Sequence, residues 1–400
     1  MLDLRPEDQI LLYVARPAPD EKTNQQLRQF FESDLDWTYL LATAERHCVI
    51  PLLHRHLSET TAVPSQALKQ LQHANNQNTN SNLFLTGELV KLLHFLQANK
   101  IQAVPFKGPT LALAAYGDIG LRQFADLDIL INKTDLSKVK QLLTDHGFRP
   151  HPELSRPQEA ALSRFDCAWN FVNARKVMVD VHWSLIERHY ACAVDVNGLC
   201  DRLQPITIAG KQMVTLSTED LLLALCLHGF THFWDRLGWI CDVAWLLERE
   251  KQIDWKLLMQ DAERLGCRRI LLLGLLLASD LLQAPLPPEI LIAVNNDPTV
   301  TTIAKQVKEQ LFTGPTDSTG MLNEARLLIS LRERKRDQFK SLFRLLLTPR
   351  RGDWMWLTLP GPLGFLYYLV RPLRLAGKYG RRLLAASREH ETANVKSLQS

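Results

Sequence analysis

Apolar residues recur every three or four positions in both outer parts of the chain, which is the spacing of amphipathic helices. In the N-terminal part of the chain this pattern covers 36–57 and 82–100, and the polar run HANNQNTNSN (73–82) precedes the second of these stretches. The polar run is either a loop or the solvated face of one long helix. From 218 to about 345 the pattern is helical again and rich in leucine. Ser217 is the expected N-cap of the first helix there, because acidic residues follow it.

Between about residue 99 and residue 216 the pattern changes to that of strands. Apolar runs at 101–106 and 126–131 predict two strands. Alternation in 167–173 and 176–183 predicts a β-hairpin that turns at Ala174-Arg175. This part of the chain is expected to form a compact sheet.

A helix from Leu136 to His146 and a further strand pair joined at Ala209-Gly210 complete the same region. The predicted fold class is α+β, a small mixed sheet flanked by N-terminal and C-terminal helical regions. The predicted regions are 1–98 (helical), 99–216 (α/β core), 217–345 (a helical substrate or lid region) and 346–400 (a basic, apolar tail).

Composition favours a protein with real hydrophobic cores. The chain has 400 residues, of which 46% are hydrophobic, enough for two or three domains. Its seven cysteines form no Cys-x-x-Cys pair and suit small core residues of a reducing compartment. The first fifteen residues are acidic and lack a long apolar stretch, unlike a signal peptide, so we expect a cytoplasmic protein.

Positive charge is concentrated at the C-terminal end. Residues 331–400 contain fifteen Lys and Arg against five Asp and Glu, a net charge of +10, whereas the rest of the chain carries −6. Within this end, 354–370 is uncharged, has aromatic residues at its ends and is broken by Pro-Gly-Pro. The basic residues that flank it are Arg350, Arg351, Arg371, Arg374, Lys378, Arg381 and Arg382.

A spanning helix needs about 20 apolar residues, so a proline-broken run of this length better suits the surface of a bilayer. We therefore expect the tail to bind anionic lipid peripherally, on the inner face of the membrane. The alternative is a C-terminal helical hairpin packed on the core with a solvated basic face. Nucleic acid is the less favoured partner for these charges, because no recognised binding motif accompanies them.

Candidate chemistry begins with carboxylates on the predicted strands. Asp126 and Asp128 are two residues apart and therefore point to the same face of their strand. Asp180 lies at the centre of the second hairpin strand, on the same side as Met178 and His182. Like charges resist burial together, so the pair needs a cation or an exposed strand end. Such a set can hold two Mg²⁺ ions, which could clamp the oxygens of a phosphoryl displacement.

The turn before the first helix of the core could bind an anion. Gly108 permits close approach of a ligand, Pro109 suits the first turn of a helix that runs to about Tyr116, and Lys107 adds charge. Thr110 belongs to the same turn. The alternative is an ordinary turn with a solvated lysine. Arg122 either contacts phosphate, braces Asp126 or forms a structural ion pair.

The order of these residues resembles a known family. Lys-Gly at a helix start, then Arg, Asp-x-Asp and a later Asp-x-His-Trp are similar to the uncharacterised bacterial nucleotidyltransferase family of the DNA polymerase β-like superfamily. The helical stretch LCLHGFTHFWDRLGWICDVAWLL (225–247) adds to the resemblance, which covers roughly 100–250. It implies that Gly108 binds a nucleotide triphosphate. The metal ligands that it implies are Asp126, Asp128 and Asp180.

The sequence departs from the superfamily pattern at two points. Pro109 follows Gly108 where Ser is usual, and the gap from Gly108 to Asp126 is longer than usual.

Several residues of the later segments are candidates for the substrate pocket. His182 either braces the metal site or is a core histidine. His228 and His232 have the four-residue spacing of zinc ligands, but no metalloprotease Glu and no Cys pair accompanies them, so packing or a substrate pocket is expected. Arg236 and Asp242, with Trp234 and Trp239, either line the cleft opposite the carboxylates or form a buried helical ion pair.

Together these features predict a Mg²⁺- or Mn²⁺-dependent nucleotidyltransferase. It would move an NMP from an NTP, with ATP as the expected donor, to a hydroxyl acceptor and release pyrophosphate. Asp180 is the expected general base. The acceptor stays open among a sugar, a lipid-linked saccharide, a peptide, a protein and an RNA end. The alternatives are an Asp-x-Asp glycosyltransferase and an inactive, membrane-associated scaffold or regulator.

Overall fold

The computed structural model describes residues 4–57, 63–190, 192, 196–313 and 321–377. The N-terminal part contains helices α1 (Pro6–Val14), α2 (Glu21–Phe31), α3 (Trp37–Arg46), α4 (Ile50–Leu57) and α5 (Ser65–Ala98). The middle part contains the strands β1 (Ala103–Pro105), β2 (Asp126–Ile131), β3 (Phe148–Pro150), β4 (Ala168–Asn173), β5 (Met178–His182), β6 (Gln204–Ile208) and β7 (Lys211–Thr215). Its helices are α6 (Gly108–Leu111), α7 (Leu136–Asp145), α8 (Arg156–Phe165) and α9 (Val196–Cys200).

Helices dominate the remainder. They are α10 (Thr218–Thr231), α11 (Leu237–Arg249), α12 (Trp255–Leu265), α13 (Arg268–Leu282), α14 (Pro288–Asn295), α15 (Pro298–Gln310), α16 (Met321–Ser330), α17 (Lys335–Leu347) and α18 (Arg351–Trp356). A 3₁₀ segment (Gly361–Leu366) and a helical stretch at 367–377 follow. The predicted α+β fold with helical flanks is confirmed.

The main sheet has five strands in the order β1-β2-β5-β4-β3. β2 and β5 are parallel, and the other pairs are antiparallel, so the sheet is mixed as predicted. The predicted hairpin is formed by β4 and β5, with Asp180 at the centre of β5. β6 and β7 form a separate two-stranded sheet.

The polar run 73–82 lies inside α5, so the second of its two predicted forms is the observed one. Its inner side is not solvated. Asn82 is fully buried, and its Nδ2 donates to the carbonyl oxygens of Ile119 and Arg122 at 2.6 and 2.8 Å. These bonds hold the loop that leads into β2 against α5.

Two hydrophobic cores form in the described part of the chain. One core unites α1–α4 with α10–α17, and Ser217 caps α10 as predicted, accepting a hydrogen bond from the backbone N–H of Asp220. The other contains the main sheet, the second half of α5 and α7–α8, together with Trp354 and Tyr367. The four predicted regions stay a prediction, and the two cores cut across them.

The C-terminal segment packs against α8 and joins the second core, where Phe165 of α8 contacts Tyr367 and Tyr368. Trp354 and Tyr367 are buried, and buried Arg371 lies 2.8 Å from Asp353 Oδ2 and donates to the carbonyl oxygen of Leu345. Packing of this segment on the core, which the sequence analysis gave as the alternative to lipid binding, is therefore observed up to residue 377. Lys378, Arg381 and Arg382, the last part of the predicted basic flank, lie outside the described residues. Of the helices described, none has the length and apolarity that a bilayer crossing requires.

Candidate active site

Three carboxylates meet on one face of the main sheet. Asp126 and Asp128 point the same way from β2, since side chains two apart share a face. The parallel register pairs Asp128 with Asp180 of β5. On the far side of Asp180, Asn170 of β4 donates its Nδ2 to Asp180 Oδ1 at 2.6 Å. The strand pairing thus places the three nominated carboxylates on one face of the sheet, and the group whose ligand atoms lie within 4.8 Å of one another is Asp128, Asp180 and His182, without Asp126.

Asp128 is the most enclosed of the three. Its side chain is 3% exposed, and its Oδ1 lies 2.6 Å from Lys107 Nζ and 3.0 Å from His182 Nε2. Burial alone would raise the pKa of Asp128, but the neighbouring Lys107 and His182 hold that pKa well below its usual range. Asp128 is therefore ionised under all ordinary conditions.

Asp126 has the opposite electrostatic character. Burial, and then the charges of Asp128 and Asp180, raise the pKa of Asp126 to about 6. Burial and the charge of Asp128 also raise the pKa of Asp180. Within the described residues, the Asp126 carboxylate forms no hydrogen bond or ion pair. The charges of Lys107 and Arg122 oppose the rise in the pKa of Asp126 only in part, and no cation of the described residues is paired directly with Asp126.

This donor set suits a divalent cation. Asp128, Asp180 and His182 each offer a ligand atom, and these atoms lie within 4.8 Å of one another. Asp126 adds a third carboxylate on the same face of the sheet. Hard oxygen donors of this kind are the ligands of Mg²⁺ and Mn²⁺. His182 forms a hydrogen bond with Asp128, and its ring lies edge-on to Phe106.

Lys107 and its neighbours lie at the N-terminal end of α6. Lys107 pairs with Asp128, and that carboxylate raises the pKa of Lys107 against the opposing effect of burial. Gly108 has φ of +56°, and a Cβ there would lie 3.0 Å from the carbonyl oxygen of Asp126, so glycine allows α6 to pack on the start of β2. Thr110 is fully buried, and its hydroxyl has no hydrogen-bond partner in the described part of the chain.

Arg122 is held by a partner on the helical side. Its Nε and one terminal nitrogen lie 2.8 and 3.0 Å from the two carboxylate oxygens of Asp242 on α11. Tyr116 donates its hydroxyl to the same carboxylate at 2.9 Å. Of the three roles considered for Arg122, the structure shows the ion pair. That pair ties the loop before β2 to α11.

The candidate residues of the helical region divide between cleft and core. His228, His232, Arg236 and Trp239 line the cleft, and the rings of the two histidines are 4.6 Å apart. Burial lowers the pKa of His228 well below its usual value and that of His232 to about 4, so both rings are neutral. Trp234 instead lies in the core, where it fills the space beside Gly229 and Gly274. The cleft position considered for Trp234 is wrong, because both glycines leave room for its ring.

The carboxylates open into a cleft of about 1210 Å³ between the sheet, α5, the α10–α11 region and the C-terminal segment. Several cleft residues were not nominated from the sequence. They are Gln77, Asn78 and Ser81 of α5, Asp166 and Glu187 beside the hairpin, and Arg350 and Arg351 at the start of α18.

Asp166, Cys167 and Glu187 form a second group whose ligand atoms lie within 4.8 Å of one another. Asp166 precedes β4 and Glu187 follows β5, and antiparallel pairing places those strand ends together. The predicted hairpin could have signalled this proximity. No sequence pattern indicated that residues of α5 and α18 line the cleft, because their position there depends on how distant segments of the chain pack.

Comparison with known proteins identifies the family. A family model described as an uncharacterised nucleotidyltransferase matches residues 33–283. That range contains the main sheet, the carboxylates and most of the cleft. A comparison with curated proteins found no match. Because the family model covers more than half of the chain, this protein belongs to the uncharacterised nucleotidyltransferase family.

Proposed function

We propose that this protein is a metal-dependent nucleotidyltransferase that moves an NMP from an NTP, with ATP as the expected donor, to a hydroxyl acceptor. The observation that carries the proposal is the set of three carboxylates on paired strands at the base of a large cleft. The family match supports the reaction class. In-line attack of the acceptor oxygen on the α-phosphate would release pyrophosphate.

Asp126, Asp128 and Asp180 are the proposed ligands for Mg²⁺ or Mn²⁺. When bound, such an ion would neutralise phosphate charge and lower the pKa of the acceptor hydroxyl. The ionised state of Asp128 and the repulsion of Asp126 by the other two carboxylates both favour a bound cation. His182 positions Asp128 by its hydrogen bond.

Lys107 is the proposed phosphate-binding side chain. Its ammonium group lies against Asp128 and lines the cleft, so it can partner a carboxylate before the nucleotide binds and a phosphate afterwards. Gly108 would contribute through the backbone of the same turn. Thr110 would only shape that turn, since its hydroxyl is buried and its backbone N–H donates to the carbonyl oxygen of Lys107 at 3.2 Å. Arg122, paired with Asp242, would set the loop that forms the neighbouring wall of the cleft.

Asp180 is the proposed general base. Burial and the charge of Asp128 raise its pKa, which brings its basicity closer to that needed near neutral pH. His228, His232 and Arg236 line the opposite wall of the cleft and are proposed to contact the acceptor.

The proposed cellular location is the cytoplasm. All seven cysteines are free thiols, which suits this reducing compartment.

The test is transfer of label from each of the four NTPs, labelled at the α-phosphate, to components of a cell extract. We expect transfer with Mg²⁺ or Mn²⁺, none with a chelator, and a strong loss in Asp180→Asn. Asp145→Asn, an exposed aspartate on α7, is the matched control and should keep full activity. Transfer of sugar from a nucleotide-sugar, without transfer from any NTP, would instead identify a glycosyltransferase. No transfer from either donor class would leave the scaffold as the better account.

A further inference from the structure

The C-terminal segment carries most of the exposed apolar surface. Fifteen large hydrophobic side chains are exposed in the described part of the chain, and ten of them lie between residues 339 and 373. Exposed apolar side chains so concentrated in one short stretch of the chain mark an interaction surface rather than ordinary scatter. We call these residues the apolar face; they are Phe339, Phe343, Leu346, Met355, Trp356, Leu357, Leu363, Phe365, Leu369 and Leu373.

The apolar face is presented by a folded scaffold. On α17, Phe339, Phe343 and Leu346 recur at helical spacing, and the rings of the two phenylalanines are stacked 6.3 Å apart. The opposite side of α17 is buried, with Leu345 and Ser341 fully enclosed. The apolar residues that point outward therefore cannot enter the core without unfolding the segment.

Basic side chains share the outer surface. On α17 the exposed residues Lys335, Arg336 and Lys340 alternate with the exposed phenylalanines. Residues 335–377 contain eight Lys and Arg against two Asp. One of those acids, Asp353, is fully buried and paired with Arg371 and Arg374, so it contributes no negative charge to the surface.

This combination fits an anionic lipid surface. A bilayer buries outward aromatic and aliphatic side chains and attracts basic ones, each contributing about fivefold in affinity near the surface. A second copy of this chain is a poorer occupant, because two basic faces repel each other. Anionic lipid satisfies both the apolar and the basic residues of the face.

The apolar face adjoins the proposed active-site cleft. On α18, Arg351 and Trp354 line the cleft, whereas Met355 and Trp356 belong to the apolar face. Along a helix axis, Arg351 and Trp356 are separated by only about 8 Å. The charge of Arg351 also lowers the pKa of Asp166 inside the cleft, against the larger effect of burial.

We propose that this face docks the protein on an anionic membrane, so that the cleft receives its acceptor hydroxyl from a membrane-anchored molecule. The acceptor part of this inference rests on the proposed function, whereas the docking part stands on the surface alone. The acceptor part restricts the acceptor classes left open by the sequence to molecules that are attached to lipid.

The first experiment measures docking with the full chain and vesicles of phosphatidylglycerol mixed with phosphatidylcholine. We expect cosedimentation that weakens as salt screens the charges, and little binding to phosphatidylcholine alone. Phe343→Gln with Trp356→Gln should reduce binding about tenfold or more, because both side chains lose apolar burial in the bilayer. Lys335→Gln with Lys340→Gln should remove much of the salt dependence.

The matched control is Leu291→Gln with Ile292→Gln, two exposed apolar residues on α14 outside the face. It should bind vesicles like the unaltered protein. Absence of vesicle binding at low salt, or equal loss in control and face variants, would overturn docking. So would a dimer that the face variants dissociate, because the occupant would then be a second copy.

The second experiment separates label transferred from NTP into membrane and soluble fractions of the extract. We expect label in the membrane fraction, and a lower yield there for Phe343→Gln with Trp356→Gln. Label confined to the soluble fraction would overturn the membrane-anchored acceptor while leaving nucleotidyl transfer intact. Absence of label from both fractions would overturn the proposed function and the acceptor assignment, whereas the vesicle result would still decide docking.

Discussion

At the scale of single residues, the three aspartates differ in the charged groups that surround them. Asp128 has two cationic or hydrogen-bonding partners on one oxygen, whereas Asp126 faces mainly other carboxylates. Residues of the same type therefore have opposite effects on stability. The ion pair of Lys107 with Asp128 accounts for this difference between Asp126 and Asp128.

Asp126→Asn should stabilise the metal-free protein at neutral and alkaline pH. The pKa of Asp126 is about 6 in the folded protein against 3.8 for the unfolded chain, so the folded state loses stability as pH rises from about 4 to 6. The gain above pH 6 should be up to about 3 kcal/mol and should vanish below pH 4. Denaturant unfolding of both proteins across this range checks the sign, and a gain that grows toward acid pH would contradict it.

Asp128→Asn should destabilise the protein, in contrast to Asp126→Asn. The substitution leaves the ammonium group of Lys107 without its carboxylate in a largely enclosed site. Loss of one partner from such a pair costs about 3 kcal/mol. Denaturant unfolding at pH 7 measures this directly. Lys107→Met combined with Asp128→Asn should recover part of the lost stability. Equal stability of Asp128→Asn and the unaltered protein would contradict the ion pair between Lys107 and Asp128.

At the scale of elements, α5 positions the active site from a distance. Its polar run looks like a solvated surface in the sequence, yet Asn82 holds two carbonyl groups of the loop before β2. Asn78 donates to a third carbonyl, that of Gly120. Arg122 at the end of the same loop is held by α11. The loop is therefore fixed between two helices from different parts of the chain.

Asn82→Ala should loosen this loop. Two carbonyl groups lose their donor, which costs about 2 kcal/mol where they stay out of contact with water. We expect a lower melting temperature and faster amide exchange in 117–122. Asn80→Ala, an exposed change in the same helix, is the control and should alter neither quantity. Unchanged exchange in Asn82→Ala would mean that Asn78 and the Arg122 ion pair are sufficient to hold the loop.

At the scale of the whole molecule, local patterns predicted elements better than contacts between them. Alternation revealed β5 and the shared face of Asp126 and Asp128, because side chains on a strand alternate whatever their partners. The pairing of Asp128 with Asp180 needed the strand order, which one sequence does not reveal. The contact between Arg122 and Asp242 joins residues 120 positions apart and left no local pattern.

Local patterns likewise predicted the helices better than they predicted which helices share a core. Helical periodicity identified the N-terminal and later helices, yet it could not show that they share one core. The apolar C-terminal run predicted a membrane contact or packing on the core, and its side chains divide between buried and exposed positions. Trp354 is buried, whereas Trp356 is exposed. Only the orientation of α18 decides which tryptophan lies inside.

The central claim is that Asp126, Asp128 and Asp180 form a divalent-metal site, and calorimetric titration with Mn²⁺ or Mg²⁺ tests it most directly. We predict binding at pH 7.5 that weakens as pH falls through about 6, where Asp126 takes up a proton. Asp126→Asn with Asp180→Asn should abolish the binding, and Asp145→Asn should not change it. Binding of the same affinity in the double variant, or no binding by the unaltered protein, would contradict the account.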